Sequence, residues 1–289
     1  MVAAEITAFP ASGCEEALAL LDQEFIFSRG RTISLSIRFA GAVSQPDARF
    51  LAARCDGRIE SLLLLRPFRW ITPALVYRAV MIGLVWTRPE VRGRGHAGAL
   101  LAHAAQMLRA GSFDFAVLWT TRPEFYARAG WIAADCGVLG HRRGRAGATA
   151  THDDARALWP AIHSLREAEG GERVARTPAS YATLLAPATE HDAAIEGGAY
   201  ALVGRAGATG YVYEIGGQIG GLPALWRSLC GRYGELFLNV RRSSPAHERL
   251  AAQPATAWQD QHLAMWLPLS ARARAVHFHD WYIPFVDHI

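Results

Sequence analysis

The sequence predicts an α+β protein, with a mixed sheet flanked by helices and a second, smaller α+β domain after it. Three observations predict this class. Two apolar runs joined by the turn signal Asp56-Gly57 give an antiparallel hairpin. Between Met81 and Trp119 a strand, a glycine loop, a helix and another strand succeed one another, which calls for a parallel pair joined by a right-handed crossover. The same strand–helix–strand order returns in weaker form after Gly210, and 289 residues are enough for two domains.

Residues 15–27 place Ala17, Leu18, Leu21 and Phe25 near helical spacing and read as an amphipathic helix. Residues 49–54 and 60–65 are the hairpin strands. Residues 80–86 are almost continuously apolar, which suits a central strand covered on both faces. In residues 97–108, Leu100, Leu101, Ala104, Ala105 and Leu108 share one helical stripe, and residues 113–119 form the next strand. Residues 123–129 read as a short helix stopped by Gly130. Around residues 142–151 the chain turns to Arg, Gly, Ala and Thr without periodicity, so a linker is expected there, between domains at 1–145 and 150–289. The second half offers strands at 199–204, 210–215, 236–240 and 262–269 and a helix at 222–233. The aromatic tail, with Phe278, Trp281, Tyr282 and Phe285, is expected to dock on the body rather than stay solvated.

Composition narrows the function. Hydrophobic residues make up 51% and charged residues 19%, which argues for a packed core and against disorder. No run reaches the roughly 18 apolar residues of a membrane span, and residues 1–5 lack the basic start of a secretory signal, so a cytoplasmic protein is expected. The four cysteines form no C-x-x-C pair, which disfavours zinc and favours reduced, mostly buried thiols. His277-x-His279-Asp280 lacks a further group of ligands, so no metal is expected. All 30 basic residues are arginine, spread without a long run, and the net charge is only +4. This pattern does not suit a general nucleic-acid binder.

The chemically informative stretch runs from Val85 through Trp86, Pro89, Arg92, Gly93, Arg94, Gly95 and His96 to Ala97. It leaves a buried strand and opens a helix, where free backbone amides and the positive dipole end attract phosphate. Gly93 and Gly95 let the backbone approach an anion, and Arg92 and Arg94 add permanent charge. A Rossmann reading is weaker, because Trp119-Thr120-Thr121-Arg122 stands where an acidic strand end is needed. A P-loop requires a lysine, and the chain has none.

Pro89-x-x-Arg92-Gly93-x-Gly95-x-Ala97 resembles the acyl-CoA pyrophosphate motif of the GNAT N-acetyltransferase superfamily, and Phe125-Tyr126-Ala127-Arg128-Ala129-Gly130-Trp131 is similar to that family's F-Y-x-x-x-G-F segment. The resemblance covers about residues 5–145 and implies a GNAT-like sheet splayed open between the strands at 81–86 and 113–119. It further implies acetyl-CoA as co-substrate. The pantetheine arm would pair with Leu84, Val85 and Trp86, the pyrophosphate would rest on Arg92–Ala97 amides, and Tyr126 would protonate the departing thiolate. The acceptor would be an amine on a small molecule or peptide. The general base stays unassigned among Glu60, Glu90 and Glu124, and homo-oligomerisation and the identity of the acceptor stay open. The alternative is a non-catalytic acyl-CoA-binding module. The second half reads as a degenerate copy of the same fold, since Gly216-Gly217-Gln218-Ile219-Gly220-Gly221 has no counterpart of Arg92.

Overall fold

The computed structural model describes residues 4–38, 40–144, 153–177, 180–181, 184–185, 191–253 and 256–288. Most of the expected linker lies outside these residues. In chain order the first elements are β1 (Glu5–Pro10), α1 (Glu15–Phe25), α2 (Leu35–Arg38), α3 (Ala40–Val43), β2 (Arg49–Cys55), β3 (Arg58–Ile71) and β4 (Val76–Thr87). Then come α4 (His96–Ala110), β5 (Phe115–Trp119), α5 (Pro123–Ala127), β6 (Ile132–Ala133), β7 (Gly137–Arg143), β8 (Asp153–Asp154), α6 (Ala155–Glu169) and β9 (Arg173–Val174). The rest are β10 (His191–Glu196), β11 (Ala199–Ala206), β12 (Thr209–Gly217), α7 (Leu222–Arg232), β13 (Glu235–Arg241), α8 (Pro245–Ala251), β14 (Thr256–Asp260), β15 (Ala264–Pro268) and α9 (Ala271–Arg274).

The chain forms two compact units. One holds residues 4–134 with Leu263–Phe278, and the other holds Asp135–His262 with His279–His288. This differs from the expected division at 145 and 150. Residues of β7 pair with β13 and β14, and β15 pairs with β5 and β6. Each half therefore surrenders one strand to the other's sheet. The apolar run around Met265 announces a buried strand, but a strand's apolar pattern does not name its partner, which is why β15 was expected in the second half.

In the first unit the strand order is β1-β2-β3-β4-β5-β15-β6. The hairpin of β3 and β4 is longer than the apolar runs suggest, because pairing continues past Arg66 and Pro67 to Ile71 opposite Val76. Alternation along β3 divides the core. Leu63 and Leu65 face Leu100, Leu101, Ala104 and Leu108 of α4, whereas Leu62 and Leu64 join Leu21 and Ile26 beside α1. All these side chains are fully or almost fully buried, each leucine or isoleucine contributing about 1.5–3 kcal/mol of apolar burial.

The returning strand is anchored as well as paired. The Trp266 ring stacks on Phe278 at 5.1 Å, and its Nε1 donates to the Ala134 carbonyl at 2.7 Å. The buried Asp114 carboxylate, just ahead of β5, accepts from the Arg78 amide, Ser270 Oγ and the Arg272 guanidinium. Burial alone would raise this carboxyl, but the Arg272 hydrogen bonds, the Arg78 amide, Ser270 and the Arg272 charge together hold it below its ordinary value.

The second unit orders its strands β14-β7-β13-β12-β11-β10-β8. Among the described strands of this unit only β12 and β13 are parallel, and α7 connects them. Leu222, Leu225, Trp226 and Leu229 of α7 pack with Val203, Val212 and Leu236 of the sheet. The tail docks as expected, with Trp281 and Ile283 buried. The cysteines are free but only half-buried, a departure from the buried thiols expected.

Asp114 has a depressed folded value, so its contribution is present above the unfolded value and lost as pH falls through the folded one. Asp114→Asn is expected to cost on the order of 2 kcal/mol in urea unfolding at neutral pH, with the gap from wild type closing below about pH 4. A gap independent of pH would exclude this anchor.

Candidate active site

The site begins with a parting of strands. β4 and β5 are parallel neighbours over three pairs only, Ala79 with Phe115, Val80 with Ala116 and Met81 with Val117. Beyond Met81, β4 keeps β3 on one edge, but no described strand pairs with its other edge. A register shift opposite Leu62–Leu64 inserts an extra residue there, and Leu84 takes φ +51°. A β-bulge of this kind re-aims side chains. Leu84 and Trp86 lie with the α1 cluster, and Val85 packs against the α4 cluster. The sequence gives no sign of the bulge, since leucine disfavours a positive φ.

The loop after β4 makes one short turn at Pro89–Val91 and then passes through Gly93 at φ +82° and Gly95 at φ +89° into α4. Gly95 caps α4 without any side-chain bond. The first amides of α4 thus have no intrahelical acceptor, as at any helix start. A Cβ built on Gly93, Gly95 or Gly98 would meet nothing within 4 Å. The loop is exposed over Arg92, Gly93, Arg94 and Gly95, and His96 and Ala97 are half-buried. The expected Arg92 and Arg94 amides are taken by the Pro89 and Val91 carbonyls, and the amides of Gly93 and of Gly95 onward, at a helix start with a positive dipole end, suit a diphosphate.

Arg92 departs from the expectation of a guanidinium offered to phosphate. Its Nε donates to the Thr87 carbonyl at 3.0 Å and its terminal nitrogen to Glu24 Oε1 at 3.0 Å, which ties the loop to β4 and α1. Arg94 is exposed and makes no ion pair among the described residues. Glu24 was not foreseen, because α1 lies 68 residues away in sequence.

Tyr126 comes from α5. Its ring lies edge-on to Phe125 at 4.9 Å and to Trp131 at 6.1 Å, and it shares a cluster with Leu100, Leu101 and the half-buried Val85. The side chain is 9% exposed, and its hydroxyl makes no hydrogen bond among the described residues. Burial raises the phenol above its ordinary value, against a smaller lowering by Arg122. Of the three acidic candidates, Glu60 lies 3.4 Å from Arg88, and Glu90 and Glu124 are exposed. None is singled out as a base. Among the described residues no group of three His, Cys, Asp or Glu could hold a metal.

The equivalent loop of the second unit is built differently. Gly217 sits against the Gly198 carbonyl and Gly221 against the Glu196 and Gly197 carbonyls, so these glycines permit backbone packing onto the β10–β11 turn. The Gly217, Gln218 and Gly221 amides there are taken by Glu169 and by the Gly198 and Gln218 carbonyls.

Residues 6–134 match the family model described as an acetyltransferase (GNAT) domain. The chain carries a GNAT domain. No curated protein matches the chain. Among solved structures, the GNAT fold is shared with a conserved Enterococcus faecalis V583 protein described as a probable N-acyltransferase, at 16% identity and TM-score 0.71, over 93% of this chain and 74% of that one. A GCN5-related N-acetyltransferase from Kribbella flavida aligns at 15% identity and TM-score 0.67, over 94% of this chain and 73% of that one. A tandem GNAT protein from the clavulanic acid biosynthesis pathway aligns at 12% identity and TM-score 0.52, over 92% of this chain and 99% of that one. Coverage of this breadth takes in the second unit, so the fold is that of two GNAT-like sheets in tandem.

The GNAT loop's geometry sets opposite signs for two glycine substitutions. Gly95→Ala is expected to cost about 1 kcal/mol, the penalty of a left-handed Cβ. Gly98→Ala, inside α4 and facing open space, is expected to stabilise by about 0.5 kcal/mol. Urea midpoints moving in the same direction for both would contradict this backbone.

Proposed function

We propose that the first unit transfers an acetyl or other short acyl group from acyl-CoA to a primary amine, by direct attack in a ternary complex. The observation that carries this reading is the set of exposed amides at Gly93 and Gly95–Ala97, beyond the three pairs where β4 meets β5. The residues fit coenzyme A on two counts. The loop has donors and space for a diphosphate, and the free edge of β4 at Leu84, Val85 and Trp86 offers backbone groups to an amide-bearing arm.

The acceptor nitrogen attacks the thioester carbonyl, the C–S bond breaks, and the sulfur departs as a thiolate. A thiol near pKa 8.5 leaves more readily with a proton at hand, a service typically worth about 10²–10⁴ in rate. Tyr126 Oη supplies that proton and recovers it from solvent. Burial keeps the phenol protonated across the neutral range, and its hydroxyl is not committed to another protein group among the described residues. The attacking amine sheds its own proton to water or to a base that the acceptor's position would select.

A small-molecule or peptide amine is the proposed partner. The proposed cytoplasmic location accords with the absence, among the described residues, of a helix long and apolar enough to cross a membrane. An amine-library assay of thiol release is expected to find activity that falls about 10²-fold or more in kcat for Tyr126→Phe, with affinity for acetyl-CoA kept. Calorimetric binding of acetyl-CoA without thiol release from any amine would favour a binding module instead. A Tyr126→Phe enzyme with unchanged kcat would remove Tyr126 from the mechanism.

A further inference from the structure

Arg92 is held between two fixed points. On one side its Nε donates to the Thr87 carbonyl at 3.0 Å. Thr87 is pinned in turn, because the fully buried Ser61 Oγ donates to the Trp86 carbonyl at 2.7 Å and accepts from Thr87 Oγ1 at 2.9 Å. On the other side a terminal nitrogen of Arg92 donates to Glu24 Oε1 at 3.0 Å. Glu24 stands in the last turn of α1, where Leu21 and Ile26 are buried and the Asp22 carboxylate accepts from the Leu35 amide at 2.6 Å. The guanidinium therefore bridges an anchored strand end and an anchored helix end.

The loop beyond Arg92 has little else to fix it. A Cβ on Gly93 or Gly95 would meet nothing within 4 Å, and Arg94 is exposed. Among the described residues, the side-chain hydrogen bonds made by residues 92–95 are both those of Arg92. Glycines give such a segment many conformations, which a ligand must order on binding. The second unit holds its loop by another means. There β12 and β13 also part, after Val212–Leu238, but Gly217 packs on the Gly198 carbonyl and Gly221 on the Glu196 and Gly197 carbonyls. Residues 216–221 carry no arginine, and a loop packed backbone to backbone needs no side-chain clamp.

We infer that Glu24 is a positioning residue for the cofactor, which acts through Arg92 to hold the loop in the shape that presents the Gly93 and Gly95–Ala97 amides to the diphosphate of acyl-CoA. The inference rests on the proposed reading of this loop as the diphosphate site. Two effects of opposite sign meet at Glu24. Its negative charge opposes an incoming diphosphate and occupies part of the Arg92 fork. Its bond to Arg92 favours binding, because a loop already ordered loses less freedom when the ligand arrives. The Arg92 and Glu24 side chains are 52% and 34% exposed, so solvent and salt screen the charge effect. The ordering of the loop prevails.

Calorimetric titration of the full chain with coenzyme A reads the sign directly. Glu24→Ala is expected to weaken binding about fivefold and Arg92→Ala at least as much, with the double variant within about twofold of Arg92→Ala alone. In the thiol-release assay the loss falls on KM for acetyl-CoA while kcat stays within about twofold, since the loop grips ground state and transition state alike. A merely structural Glu24 would lower the urea midpoint and leave the Kd of the folded chain unchanged. A wild-type chain that does not bind coenzyme A would remove the diphosphate reading and this inference with it. Wild-type binding, with a Glu24→Ala chain that binds as well or more tightly, or that loses the same factor when Arg92 is already alanine, would overturn the positioning role alone.

Discussion

Three parallel residue pairs set the architecture of the first unit. β4 and β5 meet only from Ala79–Phe115 to Met81–Val117, and no described strand pairs with the rest of that edge of β4. An unpaired edge is a liability unless something covers it or it serves to bind. The bulge at Leu84 and the positive-φ glycines that follow turn the same stretch of backbone from sheet to helix start, so one short segment presents both a free strand edge and free helix amides. Arg92, tied to Thr87 and Glu24, fixes the loop that joins them.

The second unit shows what the same parting becomes without that loop. Gly217 and Gly221 are used in contact with the β10–β11 turn, and the opening is occupied by the tail and by a buried network of Arg166, Arg176, Glu214 and Asp287. Removing one partner of such a network would leave a buried charge unmet, at a cost of about 3–5 kcal/mol. The parting of strands is kept while what fills it differs, and the exchange of β7 for β15 binds the stability of each unit to the whole length of the chain.

Much of this was legible in the residues. The apolar stripe of α4, the continuous run of β4 and the turn signals give element type, because burial on one or two faces writes itself into periodicity. The pairing Gly93-x-Gly95 with Tyr126 further on carried the likeness to the family. The sequence is silent on three points. The partner of β15 depends on which edge is free, the bulge at Leu84 runs against local preference, and the Glu24–Arg92 bond joins residues far apart in the chain. The division at 145–150 was misplaced for the same reason, since a stretch poor in periodicity was read as a boundary while β7 just before it had already joined the second sheet.

The central claim is that the amides of Gly93 and of Gly95 to Ala97 receive the diphosphate of coenzyme A. A crystal structure of the chain with acetyl-CoA tests it most directly. The account predicts diphosphate oxygens at about 3 Å from those amides, with the pantetheine arm along Leu84–Trp86. A diphosphate seated on other residues, with those amides left to solvent, would contradict it.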